Sequence, residues 1–182
     1  MGQFDRDRPA WGEAVFNPQN KEVVKMAKKI LLAFDDSENA MRAVEHVAKL
    51  FTPAETRVVL FSVFQDTASL CDMRSPELTD YFKSQQSSFC IMEEKKKSLV
   101  RDAMTKATQV LKEAGFDEKK VEVKTQLRKK GIAQDIVREA QNGYDLIVMG
   151  RRGLSGIKEF FLGSISQKVL ALAEDMSILM VR

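Results

Sequence analysis

The sequence predicts an α/β fold in which a doubly wound, five-stranded parallel sheet carries helices on both faces. Three observations lead there. Short apolar runs alternate with stretches of helical period in the order β-α-β-α-β-α-β-α-β. Most of the runs are apolar at nearly every position, as strands buried on both faces are. One run instead alternates apolar with polar residues, which marks an edge strand.

Residues 1–27 are polar and irregular, with Pro9, Pro18 and several Asn and Gln. They are expected to form an N-terminal arm, which Trp11, Val15 and Phe16 could dock, with the folded domain running over 28–182. Ile30-Leu31-Leu32-Ala33-Phe34 is the first strand, ended by Asp35-Asp36-Ser37, where Asp36 or Ser37 is suited to cap a helix. Ala40, Val44, Val47, Ala48 and Phe51 fall on one face of that helix, and Pro53 closes it. Val58 to Phe64 is almost wholly apolar and reads as a second buried strand.

From Gln65 to about Cys90 the period is lost, with Pro76 and many Ser and Gln residues. This segment is expected to be a long, partly helical connection able to cover a site beyond the second strand. Glu93-Glu94-Lys95-Lys96-Lys97 reads as a solvated helix face. Leu99, Ala103, Ala107, Val110, Leu111 and Ala114 then make a helical stripe that Gly115 stops.

Val121, Val123, Thr125 and Leu127 alternate with Glu122, Lys124 and Gln126, which makes the third strand the edge. Gly131 leads into a helix with Ile132, Ile136, Val137 and Ala140, ended by Asn142-Gly143. Leu146-Ile147-Val148-Met149 is the fourth strand. A helix with Val169, Leu170, Leu172 and Ala173 follows it, and Ser177 to Val181 is the last strand.

Composition excludes several functions. A chain of 182 residues, 44% hydrophobic, suffices for one core, and 29 basic against 26 acidic residues leave +3, too balanced to argue for nucleic acid. The single histidine, His46, cannot build a His-rich metal site and is expected on a helix surface. Cys71 and Cys90 are nineteen apart in a polar region; a bridge is open to them, but two reduced thiols are the expectation. No apolar run approaches membrane-spanning length and no signal-peptide core is present, so a cytoplasmic location is expected.

The chemistry concentrates between Asp145 and Ser166. The fourth strand runs into Gly150, Gly153 and Gly156, and Gly163-Ser164 with Ser166 opens the next helix. Glycine lets backbone approach a ligand closely, and a helix N-terminus presents N–H donors and a positive dipole end. The pattern suits phosphate; it also serves as a tight strand exit and helix cap. In doubly wound sheets ligands sit beyond the carboxyl ends of the strands, where strand order reverses. If the first and fourth strands flank that point, Asp35 faces the Gly150 loop, positioned to bond ribose hydroxyls or to cap its helix.

ILLAFDDSENAMRAVEHVAKL and DLIVMGRRGLSGIKEFFLGSISQKVL resemble the first strand and helix, and the fourth strand with its G-x2-G-x9-G-[ST] signature, of the ATP-binding branch of the universal stress protein family. The resemblance covers about 28–182. It implies strand order 3-2-1-4-5, which agrees with an edge position for the third strand. It implies that Gly150, Gly153, Gly163 and Ser164 bind phosphate, with Arg152 contributing a side chain and Ile165 and Ser166 continuing that surface. Ala33, Phe34 and Asp35 match residues beside the adenosine, Val63 the position whose backbone meets adenine, and Met149 closes the fourth strand. Asp36 stands where the family commonly has Gly, an extra carboxylate that either repels phosphate or brings a divalent metal.

The expected function is therefore an adenine-nucleotide (ATP, ADP or AMP) binding regulator of the stress response, a ligand-dependent switch, with Mg or Mn accompanying the nucleotide. A homodimer through the C-terminal strand and an unidentified protein partner are implied, with no nucleic-acid or membrane partner. The alternatives are a slow ATP hydrolase or nucleotidyl transferase, although no Walker A or S-G-G-x-D-S loop is present, and an interaction module with an empty pocket.

Overall fold

Ile30, Leu32 and Phe34 point to one side of the first strand and Leu31 and Ala33 to the other, and all are buried. That two-sided burial requires a helical layer on each face. The computed structural model, which describes residues 28–72, 79–153 and 162–182, supplies both layers. Strands β1 (Lys28–Ala33), β2 (Thr56–Phe64), β3 (Val121–Leu127), β4 (Leu146–Gly150) and β5 (Ser177–Val181) form one sheet in the order β3-β2-β1-β4-β5. Every pairing is parallel. The expected fold class and strand order are therefore met.

Helices α1 (Glu38–Leu50) and α3 (Asp80–Glu113) cover one face; α4 (Ile132–Ala140) and α5 (Ser164–Leu172) cover the other. A single turn, α2 (Ala68–Cys71), follows β2. On the α1/α3 face the core is built from Ala40, Ala43, Val44 and Val47 with Val100, Met104, Ala107 and Leu111. Ala133, Ile136, Val137, Ala140 and Val169 fill the opposite layer. Ser37 caps α1: its hydroxyl accepts from the Ala40 N–H at 3.2 Å.

Several sequence expectations need correction. The segment 65–90 is partly helical as expected, through α2 and the first turns of α3, but α3 starts as early as Asp80, under a Thr79 cap. Cys71 and Cys90 are joined in a disulfide with Cα atoms 5.9 Å apart, not two reduced thiols, since α2 and the early turns of α3 bring them together. Leu99 is exposed and the inward stripe of α3 runs through Val100 and Met104, one position away from the expected start. Leu170 and Leu172 are exposed too, leaving Val169 and Ala173 to anchor α5.

At the edge, the apolar side of β3 is only partly covered, with Val123 and Leu127 about half exposed. On its other side Lys124 donates to Glu139 at 2.8 Å, and the Tyr144 hydroxyl donates to the same oxygen at 2.9 Å. Among the described residues no helix is long and apolar enough to cross a membrane. The expected N-terminal arm (1–27), Gly156 and Pro76 lie outside the described residues.

Candidate functional site

Strand order places β1 between β2 and β4, with Ala33 paired to Phe61 on one side and to Met149 on the other. The chain leaves β1 for α1 on one face and leaves β4 toward α5 on the opposite face. Their exits diverge, and a crevice opens at the carboxyl ends of these strands. A cavity of about 300 Å³ occupies it, a volume within the range of small-molecule sites.

Apart from Gly156, which lies outside the described residues, every residue matched to the nucleotide site lines this cavity. Ala33, Phe34 and Asp35 come from the end of β1 and Val63 from β2; Met149, Gly150, Arg152 and Gly153 come from β4 and its exit. Gly163, Ser164, Ile165 and Ser166 come from the start of α5. The intervening residues 154–161 are outside the described set.

Asp35 is held rather than free to turn. Its Oδ1 accepts from both the backbone N–H and the hydroxyl of Ser37. Its Oδ2 faces Gly153 so closely that a Cβ there would lie 2.7 Å away. The β4 exit is tied on itself: the Gly163 N–H donates to the Arg151 carbonyl at 2.8 Å, and a Cβ on Gly163 would meet the Arg152 Cα at 3.2 Å. Gly153 thus has no room for a side chain unless Asp35 moves, while at Gly163, at an ordinary φ of -71, a Cβ would be tight against backbone. Ser166, buried, donates its hydroxyl to the Gly150 carbonyl at 3.1 Å and so fixes α5 onto β4. Ser164, exposed at the first position of α5, remains at the cavity wall.

Helix geometry leaves the first-turn N–H groups of α5 without intrahelical acceptors, and the helix dipole adds partial positive charge there. Arg151, Arg152 and Arg182 gather on the same side. Slight desolvation, then the nearby charges of Arg152 and Arg182, draw the Arg151 guanidinium below its ordinary value, while leaving it charged at neutral pH. The first turn of α5 offers backbone donors to an anion, with Arg152 on the same cavity wall.

Asp36, singled out in the sequence as an extra carboxylate, lines the cavity as well. The structure adds residues that sequence reading missed: Ser37 and Gln65 line the wall, and Ile132 and Ile136 enter from α4. Asp36 Oδ1 is buried with no hydrogen-bond donor among the described residues. Glu93, Lys96, Lys97 and Val100 bring α3 to the wall, so the run expected to be a solvated face is in part a cavity wall. The signal was present as spacing: Glu93 and Lys97 continue the inward stripe of Val100, Met104, Ala107 and Leu111 by steps of three and four. Charge hid it.

The model of the universal stress protein family matches residues 26–182. Universal stress protein MJ0577 of Methanocaldococcus jannaschii is 31% identical over 157 residues, covering 80% of this chain and 89% of that protein. The solved structure of MJ0577 superposes with a TM-score of 0.62 at 28% identity, covering 86% of this chain and 96% of the other. The same fold recurs in the Archaeoglobus fulgidus universal stress protein in complex with dAMP, at 19% identity and a TM-score of 0.51, covering 85% of this chain and 98% of that one. A universal stress protein in complex with cAMP matches at 16% identity and a TM-score of 0.54, covering 86% of this chain and 98% of that one. With the family model spanning the whole described fold, the chain belongs to the universal stress protein family.

Proposed function

We propose that this chain binds an adenine nucleotide, ATP or AMP, and that occupancy of the site is a conformational signal in the stress response. The approach of Asp35 Oδ2 to the Gly153 backbone carries the reading. It sets a fixed acceptor for ribose hydroxyls beside a backbone that only glycine leaves open. Phosphates then fall toward Gly163, Ser164 and the α5 N-terminus, with Arg152 alongside. Ala33, Phe34, Val63 and Met149 supply the apolar surface against which a base packs. Related folds that hold dAMP and cAMP are compatible with this ligand class.

Asp36 fits a divalent cation. Its buried, unsatisfied oxygen is a hard acceptor, and Mg or Mn is commonly bound by one or two carboxylates together with substrate phosphates. No cluster of three or more His, Cys, Asp or Glu exists among the described residues; the ion would therefore arrive with the nucleotide. When bound it would neutralise phosphate charge.

The chain is proposed to act in the cytoplasm as a homodimer through the β5 edge, reading out to a protein partner. The rival reading, a slow hydrolase or transferase, draws on the same unsatisfied oxygen of Asp36. Titration calorimetry with ATP and with AMP, run beside a magnesium-dependent turnover assay, separates the readings. Micromolar binding with turnover far below one per second is expected, on the order of binding proteins rather than kinases. Turnover near one per second that vanishes in Asp36→Ala would make it an enzyme, and absent binding would leave an interaction module.

A further inference from the structure

The inward stripe of α3 crosses three environments. Leu111, Ala107, Met104 and Val100 sit in the core; Lys97 and Glu93 then line the cavity; Cys90 follows, bonded to Cys71. Steps of three and four residues connect all of these positions, so they share one face of one helix. Beyond the core the helix overhangs the sheet. Residues 80–92 are exposed or half-exposed throughout, and Tyr81, Ile91 and Met92 are largely in solvent. The disulfide and the Gln86 side chain, which donates to the Leu70 carbonyl, tie these turns to α2.

The other end of the tie is equally placed. Cys71 closes α2, six residues past Gln65, which lines the cavity at the β2 exit. Glu93 lies one helical turn past Cys90. The disulfide therefore links two walls of one cavity outside the cavity itself. Lys97 is held inward with its side chain 15% exposed and its ammonium 2.7 Å from Glu94, so the wall is ordered while α3 keeps its register there.

We propose that the Cys71–Cys90 disulfide is a redox latch on the α3 wall of the ligand cavity, coupling a dithiol reductant to ligand affinity. Both cysteines are half-buried, within reach of a small or active-site dithiol. One thiolate of the dithiol attacks a cystine sulfur, giving a mixed disulfide and releasing the other cysteine as thiolate. The second thiolate of the dithiol then attacks the mixed disulfide. The S–S bond is lost, both cysteines become thiols with two electrons and two protons from the dithiol, and the dithiol leaves as its own disulfide. The overhang then loses its covalent tie to α2 and frays more readily, which turns Glu93–Lys97 into a looser part of the helix. A pocket populated in its competent form for a smaller fraction of the time binds proportionately more weakly.

The idea rests on the nucleotide reading for its ligand but not for its structural test. Full-length protein is compared oxidised and after dithiothreitol, with released thiols counted, and beside a Cys71→Ser/Cys90→Ser variant. Hydrogen exchange is followed at 80–97, and ATP binding by calorimetry. On reduction, exchange at 93–97 is expected to accelerate about tenfold or more, and ATP affinity to fall roughly tenfold, with the serine variant matching the reduced form. Equal ATP affinity in both redox states overturns the latch. If ATP binds neither state, the nucleotide reading fails, and the latch stands or falls on exchange alone: unchanged protection at 93–97 overturns it, and accelerated exchange upholds it.

Discussion

Asp35 and Gly153 meet across the point where the sheet reverses its strand order, the carboxylate of one directed at the backbone of the other. Their closeness makes residue 153 the most sensitive position of the loop. A side chain there must displace a carboxylate that Ser37 holds by two hydrogen bonds. Gly153→Val is expected to weaken ATP binding at least tenfold, worth about 1.4 kcal/mol, with an unchanged circular dichroism spectrum. Gly163→Val, crowding the Arg152 backbone at 3.2 Å, should do the same. Calorimetry returning wild-type affinity for both variants would remove the ligand from this loop.

Gly150 behaves differently. A Cβ there would lie 2.8 Å from the backbone carbon and oxygen of Asn39 in α1. Backbone inside a helix cannot step aside as a side chain can. Gly150→Ala should therefore cost about 1–3 kcal/mol of stability by overpacking, seen as a lower midpoint in urea unfolding.

Glu139 provides a pH-dependent term. Burial raises its pKa, but hydrogen bonds from Lys124, Tyr144 and Asn142, with the charge of Lys124, outweigh that and hold the carboxyl below its ordinary value. A depressed folded-state pKa means the contribution is fully present above the unfolded value of about 4.3 and fades as pH falls through the folded one. Lys124 is partly solvated, so the gain is modest. Glu139→Gln should lose about 1–2 kcal/mol at pH 7. The difference from wild type should shrink in thermal melts near pH 3.

Assembly gives a fourth expectation. Ile178, Leu179 and Met180 are half-buried on β5, whose outer edge has no strand beside it among the described residues. Light scattering at micromolar concentration should report a dimer. Leu179→Pro, which removes a backbone donor from β5, should give monomers; a monomeric wild type would end the proposal.

The parallel sheet was legible because buried strands leave unbroken apolar runs, and its order followed from the family resemblance that the glycine spacing carries. So was the clustering of Asp35 with Gly153, since topology alone brings the ends of the first and fourth strands together. Other features were not. Glu93 and Lys97 are charged, and charge was taken as solvent exposure; at the rim of a cavity a lysine stem can pack while its head reaches water. The pairing of Cys71 with Cys90 depended on a helix starting at Asp80, within a stretch whose Ser and Gln content gives no apolar period. Leu170 and Leu172 failed as core residues because α5 is short and only one narrow face of it meets the sheet.

The two margins of the sheet are chemically unlike. β3 carries Glu122, Lys124 and Gln126 along its length, while β5 offers an aliphatic border. A molecule with two adhesive margins can add copies without end, as fibres do; one with a single adhesive margin can only be satisfied once, by a two-fold mate. In the proposed dimer, the charged and polar residues of the third strand would make that margin a terminator of growth, holding self-association at a pair.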